Sequence, residues 1–478
     1  MNFKIVFKVL GSVLKLEAYT LFIPLLAAVH YGENTSPFLI TIIFTYILGF
    51  ACTKIKASKH FYIREGFFTV GLIWIVIGLV GAVPFWISGE FNSFIDCLFE
   101  SYSGFTTTGA TVLTDIEALS NSITLWRAFT HWLGGMGVLV LATAILPMLG
   151  IRSQYLTQAE SPGPVFSKLV PKQSQTSKLL YSIYVVLTVI MAICLRFAGM
   201  NWFDSLLHAF STAGTGGFSN RNLSIGYYNS MSIDFIVAIF MIIFSINFAI
   251  HFLIITRRFK EAWKSDELKF FFGIVIVSTA LIAHNILYIY KTPLQAFRQA
   301  FFQVASIIST SGFSTTDWVL WPYFSQIVLF VVMFIGACAG STGGGIKCSR
   351  ILILWRAIKR EINQIVHPRS IKVVKLDGKV VEEKTIRSVL LFICSYLLVT
   401  LMSALIISLD NVTLGVALSS AVTSISNVGP GLESVGPACN FSAFSVRSKL
   451  IMSFCMILGR LEIFPILVLL SPSAWKKQ

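Results

Sequence analysis

Apolar runs of roughly 20 residues, the length a helix needs to cross a ~30 Å hydrocarbon layer, recur along the whole chain. They fall near 10–30, 37–53, 67–88, 127–149, 179–199, 232–255, 270–290, 324–345, 386–408 and 448–470. None alternates apolar and polar residues as a membrane β-strand would, so the pattern predicts an all-α polytopic membrane protein with about ten transmembrane helices. The first run carries Lys15 and Glu17 and lacks a small-residue cleavage site before the next, so it reads as a retained helix and not a cleaved leader.

A second kind of apolar stretch is only about a dozen residues long, too short to cross, and each example runs into a loop rich in glycine and hydroxyl residues. "FIDCLFESYSGFTTTGAT" reaches Gly109, "FDSLLHAFSTAGTGGFS" Gly217, "AFRQAFFQVASIISTSGFS" Gly312 and "GVALSSAVTSISNVGPG" Gly429. Aligned on those glycines, the residue six places earlier is Ser103, Ser211, Ser306 or Thr423. One such loop is an ordinary turn, but four copies at intervals of about a hundred residues are a repeat. Each unit reads as span, short re-entrant helix, glycine loop, span. The units are 61–150, 151–258, 259–366 and 367–478, with a helix pair in 1–60 outside the scheme. Two full crossings per unit leave all four facing the same way, so the expected architecture is four pseudo-symmetric units around one axis along the membrane normal.

Composition agrees: 12% of the 478 residues are charged, against about 25% in soluble globular chains. A formal net charge of +15 raises the question of a nucleic-acid partner, and the location of the charge answers it. The basic residues sit in alternate loops, at 54–64, Arg152 to Lys178, 257–269, 347–384 and the tail with Lys476 and Lys477, while "YGENTS", "SGEFNS" and "SLDNVT" are poor in Lys and Arg. The positive-inside rule then makes both termini and the basic loops cytoplasmic, and no nucleic acid is implied. The eight cysteines (52, 97, 194, 338, 348, 394, 439, 455) show no CxxC spacing and imply neither disulfide nor metal.

With that topology the four glycine loops lie toward the external side. Non-helical backbone at membrane depth persists only where it faces protein or a wet cavity. Four such loops converging on one axis supply a ring of carbonyl oxygens able to replace the hydration shell of a monovalent cation, and the carboxyl ends of the half-helices add partial negative charge.

Two further stretches bear on gating. "GACAGSTGGGIKCS" at 336–349 holds Gly340, Ser341, Thr342, Gly343, Gly344 and Gly345, so a continuous helix is costly at about 1 kcal/mol per glycine. The span is expected to break there at mid-membrane, in a loop able to lie across the pore; close packing of small residues is the alternative. Arg460 lies well inside the last run, where an arginine costs at least ~2.5 kcal/mol and so faces a cavity or a partner. Glu462, two residues on, occupies a different helix face and is not expected to pair with it. Lys347 reads either as a cytoplasmic anchor or as a second gate charge. His131, His208, His251 and His284 are isolated and read as hydrogen-bonded buried residues, not metal ligands. "KVVKLDGKVVEEK" alternates around an Asp-Gly turn, a hairpin signal; the basic loop that contains it offers a docking place for a soluble regulator or a contact with anionic lipid.

"FTTTGAT", "GGFS", "STSGFSTTD", "SNVGPGL", "HWLGGMGV" and "GACAGSTGGGIK" together resemble the TrkH/KtrB superfamily of bacterial potassium transporters, over essentially the whole chain. The extra N-terminal helix pair and "GRLEIF" are similar to the TrkH branch. The resemblance implies K+ as the transported ion, a bacterial inner-membrane location, a homodimer and a cytoplasmic nucleotide-binding TrkA-type partner, the nucleotide being on that partner only. It further implies filter carbonyls from Thr107, Thr108 and Gly109; Thr215, Gly216 and Gly217; Thr310, Ser311 and Gly312; and Asn427, Val428 and Gly429. Walls two and four depart from the "TTGAT" form. It gives the 336–349 loop the role of a gate and Arg460 that of an electrostatic barrier below the filter. Against this stand two rivals. A secondary transporter of a small solute needs a larger midplane site with buried carboxylates, which the mid-span regions hold few of. A membrane-embedded enzyme needs a catalytic constellation, and no HExxH, paired aspartates or Walker loop occurs.

Overall fold

The computed structural model describes residues 3–56, 63–137, 173–370 and 372–472, and its regular structure is almost wholly helical. The basic stretch from Arg152 to Lys172 and the tail with Lys476 and Lys477 lie outside the described residues. Phe3–Thr20 (α1) and Phe22–Tyr31 (α2) form one 29-residue apolar span. Ser36–Thr53 (α3) returns along α1. A methyl group on Gly11 would fall 2.6 Å from Cys52 Cβ and 2.7 Å from the Gly49 carbonyl oxygen, so glycine sets this spacing. In lipid, where apolar faces gain nothing by leaving one solvent for another, such close backbone approach is what joins helices.

The first unit is Ile63–Ser88 (α4), Phe94–Phe105 (α5) and Asn121–Gly135 (α6). The second is Gln173–Phe197 (α7), Trp202–Ala213 (α8), Met231–Ser245 (α9) and Phe248–Ile255 (α10). After the short Phe259–Ala262 (α11), the third is Asp266–Asn285 (α12), Pro293–Ile308 (α13), Tyr323–Ile335 (α14) and Cys348–Val366 (α15). The fourth is Glu383–Ile407 (α16), Leu414–Ser426 (α17), Val446–Arg460 (α18) and Phe464–Leu470 (α19).

The short helices α5, α8, α13 and α17 are the expected half-helices. Each opens on a side-chain cap: Ser93, Asn201, Thr292 and Thr413 accept from the backbone N–H groups of Asp96, Asp204, Gln295 and Val416. The long outer spans present apolar residues at helical spacing to the outside, such as Leu398, Leu401 and Leu405 on α16, while hydroxyls such as Ser101, Ser103, Thr106 and Ser424 are fully buried next to the loops. That inversion, apolar outside and polar within, belongs to a chain solvated by lipid.

The second spans differ from expectation. The runs 232–255 and 448–470 read from the sequence as unbroken crossings, and both are bent: α9 meets α10 at 101° and α18 meets α19 at 119°. α14 stops at Ile335 and α6 at Gly135. The break expected only in the third unit therefore also occurs in the second and fourth, while the run 127–149 of the first unit lies within the described residues only as far as Gly137. Asn247 turns its side chain to cap α10, and Glu462 and Ile463 (φ 54° and 67°) precede Pro465 after α18. Among the described residues six helices are long and apolar enough to cross a membrane, or eight if each bent pair counts as one span.

The basic segment 347–384, read from the sequence as a loop, is largely helix α15. The hairpin signal beyond it is borne out: Lys375–Leu376 (β1) pairs antiparallel with Lys379–Val380 (β2) across Asp377 and Gly378, both at positive φ. It is docked, since Val374, Leu376 and Val381 pack against α15 and α16, and Asp377 exchanges backbone-to-carboxylate hydrogen bonds with Asp266 at 2.7 and 3.0 Å.

Ion pairs join neighbouring units at the starts of these helices. Lys449 of α18 reaches Asp96 of α5 at 2.7 Å, tying unit four to unit one, and Arg298 of α13 reaches Asp234 of α9 at 2.7 Å, tying unit three to unit two. Removing one partner of a largely buried pair leaves an uncompensated charge at a cost of about 3–5 kcal/mol. Lys449→Met is expected to lower the thermal midpoint in detergent, and Asp96→Asn/Lys449→Met to recover most of the loss; a single variant as stable as the parent would show the pair to be idle.

Candidate functional site

The four half-helices end in one backbone conformation. Thr107, Thr215, Thr310 and Asn427 take left-handed φ of 58°, 56°, 59° and 56°, and the glycines two residues on, Gly109, Gly217, Gly312 and Gly429, take 77°, 81°, 80° and 101°. The N–H of the residue between them closes onto the carbonyl five back: Thr108 to Ser103 at 2.8 Å, Gly216 to Ser211 at 2.8 Å, Ser311 to Ser306 at 2.9 Å and Val428 to Thr423 at 3.0 Å. This is a Schellman closure, which satisfies the helix-end carbonyls without water. The acceptors are the backbone carbonyls of the matched residues six before each glycine, Ser103, Ser211, Ser306 and Thr423. A threonine in the left-handed region is an outlier costing about 1–3 kcal/mol, and such strain persists only where surroundings enforce it.

The loops meet in cyclic order. A methyl group on Gly109 would fall 1.8 Å from the Gly216 carbonyl oxygen, one on Gly217 1.8 Å from that of Ser311, and one on Gly312 2.2 Å from that of Val428. One on Gly429 would fall 2.9 Å from that of Thr108. Each glycine thus leaves room for the carbonyl preceding the glycine of the next wall, and the fourth returns to the first. All twelve residues singled out from the sequence lie on these loops, and walls two and four, despite their different sequences, have the same backbone as the others. Asn427 adds a strut: its Nδ2 donates to Thr108 Oγ1 and to the Met456 carbonyl, both at 2.9 Å.

The glycine-rich segment after α14 runs non-helically from Gly336 to Lys347 against two of these walls. Gly344 N–H donates to Thr310 Oγ1 at 2.8 Å, and a Cβ there would fall 2.3 Å from the Ser426 carbonyl oxygen. Gly343 lies close to the Ser309 carbonyl, and Gly340 to Asn247 at the α9–α10 break. Thr342 donates to the Phe244 carbonyl at 3.1 Å, Ser341 only to Cys338 of its own loop at 2.7 Å. Gly345 packs on Gly336, closing the loop.

Arg460, at the end of α18, donates to the Thr342 carbonyl at 2.7 Å and to the Gly135 carbonyl at 2.6 Å, and to Gly134. It therefore joins the loop of unit three to the C-terminal carbonyls of α6, where the helix dipole favours a cation. Glu462 takes Lys347 at 3.0 Å and Arg350; the helix ends at Arg460 and Glu462 lies beyond it at φ 54°, so the turn, and not a different helix face as expected, sets its direction. Lys347 is thus anchored beside the loop, at φ 80°.

Two residues at this site carry no motif. Buried Glu267, in the first turn of α12, accepts from Ala339 N–H at 2.7 Å and Ser349 N–H at 2.9 Å, pinning both ends of the segment. Asn247 faces Gly340. An acid at the start of a span is the only sequence signal for the first. The histidines are partly as expected: His208 bonds Asp204 O at 2.8 Å and Ser219 Oγ at 3.0 Å, and His251 bonds Ile243 O at 2.8 Å. His131 is buried but not hydrogen-bonded through either ring nitrogen, because its ring stacks on Phe218 at 4.1 Å and packs against Gly216. His284 is exposed, because the last turn of α12 faces outward there, and so departs from the expectation.

Comparison with known proteins agrees with the motifs. The family described as TrkH, cation transport protein, matches residues 30–477. The Trk system potassium uptake protein TrkH of Escherichia coli (strain K12) is 40% identical, covering 100% of both chains. The Trk system potassium uptake protein TrkG of the same strain is 35% identical over 99% of each. The crystal structure of the potassium transporter TrkH from Vibrio parahaemolyticus superimposes with a TM-score of 0.89 at 36% identity, covering 100% of both chains.

Crowding at the loops is separable from backbone strain. Gly199 has φ 108° with nothing within 4 Å of where a methyl group would sit, whereas Gly217 has φ 81° with the Ser311 carbonyl oxygen at 1.8 Å. Gly199→Ala is expected to cost about 1 kcal/mol from strain alone, and Gly217→Ala at least about 3 kcal/mol, because backbone must move. Thermal melts in detergent test this; equal losses would mean that the loops are not packed wall against wall.

Proposed function

This chain belongs to the TrkH family of cation transport proteins, and on that premise we propose that it is a potassium uptake protein that conducts K+ through the ring of four loops. The observation that carries this reading is the cyclic contact of each loop glycine with a carbonyl of the next wall. The carbonyls of Thr107, Thr108 and Gly109, Thr215, Gly216 and Gly217, Thr310, Ser311 and Gly312, and Asn427, Val428 and Gly429 replace the ion's hydration shell. The half-helix C-termini add partial negative charge behind them. An inside-negative potential contributes about 2.3 kcal/mol per charge per 100 mV toward uptake.

The segment with Gly340, Ser341, Thr342, Gly343, Gly344 and Gly345 is the gate, held against the walls by its bonds to Thr310 and Phe244. Arg460 keeps it there through Thr342 and places a positive charge under the filter, while Lys347 anchors the segment's exit through Glu462. Opening requires these bonds to break together, which a cytoplasmic nucleotide-binding partner of TrkA type drives by acting on the basic side. The protein works there as a homodimer in the bacterial inner membrane, with both termini cytoplasmic, on the distribution of Lys and Arg among its loops. The four pore units run 61–150, 151–258, 259–366 and 367–478, after the helix pair in 1–60.

The test is 86Rb uptake by the purified protein in liposomes under an imposed potassium gradient. Gly312→Ser is expected to relax selectivity toward sodium, and Arg460→Ala to raise unstimulated flux about tenfold, the rate equivalent of ~1.4 kcal/mol removed from a barrier. Absence of rubidium flux, even with a TrkA-type partner added, overturns the potassium reading in favour of a small-solute transporter.

A further inference from the structure

The residue nine before each loop glycine is Glu100, His208, Gln303 or Ser420, and all four are fully buried. In three units this residue braces the strand that leaves the loop. Glu100 accepts from Thr111 Oγ1 at 2.9 Å and Val112 N–H at 3.1 Å. His208 bonds Ser219 Oγ at 3.0 Å, and Gln303 Nε2 reaches Thr315 Oγ1 at 3.4 Å. In the fourth, the brace comes from the adjacent Ser419, which accepts from Leu432 N–H at 3.0 Å. The braced residues all lie two or three places after the glycine, so the same point on each wall is held from behind by four different chemistries.

The first brace alone among these is ionic. Arg127 of α6, 1% exposed, donates to Glu100 Oε1 at 2.7 Å from Nε and lies 2.7 Å from it through Nη2 as well. Its other reach is to the second wall: Nη1 donates to the Ser219 carbonyl at 3.3 Å, and the guanidinium lies 4.0 Å over the Phe218 ring. Phe218 and Ser219 directly follow Gly217. The pair therefore spans the seam at which Gly109 meets the Gly216 carbonyl.

Burying two charges costs more than an apolar contact of the same volume, so adhesion between α5 and α6 does not explain them. A neutral, hydrogen-bonded unit locked to both walls fixes their spacing without adding net charge behind the ring. We propose that Glu100 and Arg127 are positioning residues that hold walls one and two at the separation required to prefer K+ over Na+, touching no ion themselves. This rests on the filter reading above.

The experiment compares 86Rb and 22Na flux in liposomes for the parent, Glu100→Gln, Glu100→Asp, Thr111→Val and Asp96→Asn/Lys449→Met, after gel filtration of each. Glu100→Gln is expected to keep rubidium flux and lose rubidium-over-sodium discrimination about tenfold, the scale of one hydrogen bond to a charged group. Glu100→Asp should restore part of it, and Thr111→Val, which removes the hydroxyl that donates to Glu100 and accepts from Arg127 and Leu113 N–H, should lose about threefold. The Asp96/Lys449 variant, which breaks a pair that touches no loop, should discriminate as the parent does. Should Glu100→Gln fail to fold, Thr111→Val decides. Discrimination unchanged in the Glu100→Gln or Thr111→Val protein, or an equal loss in the Asp96/Lys449 variant, overturns the positioning role. A parent protein that passes no rubidium overturns the transport reading itself, and this inference with it.

Discussion

A backbone that leaves the helix inside a membrane must find partners for every exposed N–H and C=O within the protein, since none is supplied by lipid. The structure meets this demand four times by one device. A half-helix, capped at its start by Ser, Asn or Thr, closes at its end on a left-handed residue, which turns the next N–H back to the carbonyl five before it. The closure satisfies the helix end and frees the following carbonyls. It then leaves a glycine at positive φ facing the neighbouring wall. The ring follows from that: the absent Cβ is what lets one wall touch the carbonyl of the next.

The breaks in the second helices are the counterpart of the same constraint. Each exposes backbone groups, and the groups of different units are used to satisfy one another. The C-terminal carbonyls of α6 and the Thr342 carbonyl of the glycine-rich segment take the Arg460 guanidinium, the Gly340 carbonyl takes Phe248 N–H at the start of α10, and Glu267 takes two N–H groups at the segment's ends. An intramembrane arginine is costly to insert. Its cost is offset here by three carbonyls, two at the end of α6 and one on the glycine-rich segment, so the charge and the irregular backbone stabilise each other. The segment is held by these polar bonds together with its buried apolar residues Ala337, Cys338 and Ile346.

Much of this was legible in the sequence because it depends on backbone conformation. The half-helices show as short apolar runs, the walls as glycines at matched spacing, and the hydroxyls at Ser103, Ser211, Ser306 and Thr423 mark the carbonyls that accept the closing bonds. The hairpin at 374–381 was visible from the alternation around Asp377-Gly378. What could not be seen was contact between units. The bends after Ser245 and Arg460 lie inside runs as apolar as any crossing helix, because only Asn247 and the Glu462-Ile463 turn mark them, and a single polar residue in a span has many readings. Lys347 and Arg350 find Glu462 more than a hundred positions away, and Glu267 binds a segment whose own sequence contains nothing that asks for an acid.

The four walls share a backbone and differ in nearly everything that supports it. In an assembly of four identical chains, any side chain behind one wall stands behind all; a single chain that carries four repeats is free of that rule. The left-handed position accordingly holds threonine three times and asparagine once, the only one of the two types that tolerates the conformation well. The exchange has a consequence beyond strain. Thr107 and Thr215 return their hydroxyls to the preceding carbonyl, at 2.7 and 2.6 Å, and so stay within their own walls. Asn427 instead reaches Thr108 of the first wall and the Met456 carbonyl of α18, four residues before Arg460. Gly459, between them, sits against the Ile425 carbonyl and leaves no slack. The fourth wall is therefore fastened to the helix that carries the arginine. Any displacement of α18 therefore acts on the ring at its fourth wall, through hydrogen bonds already in place.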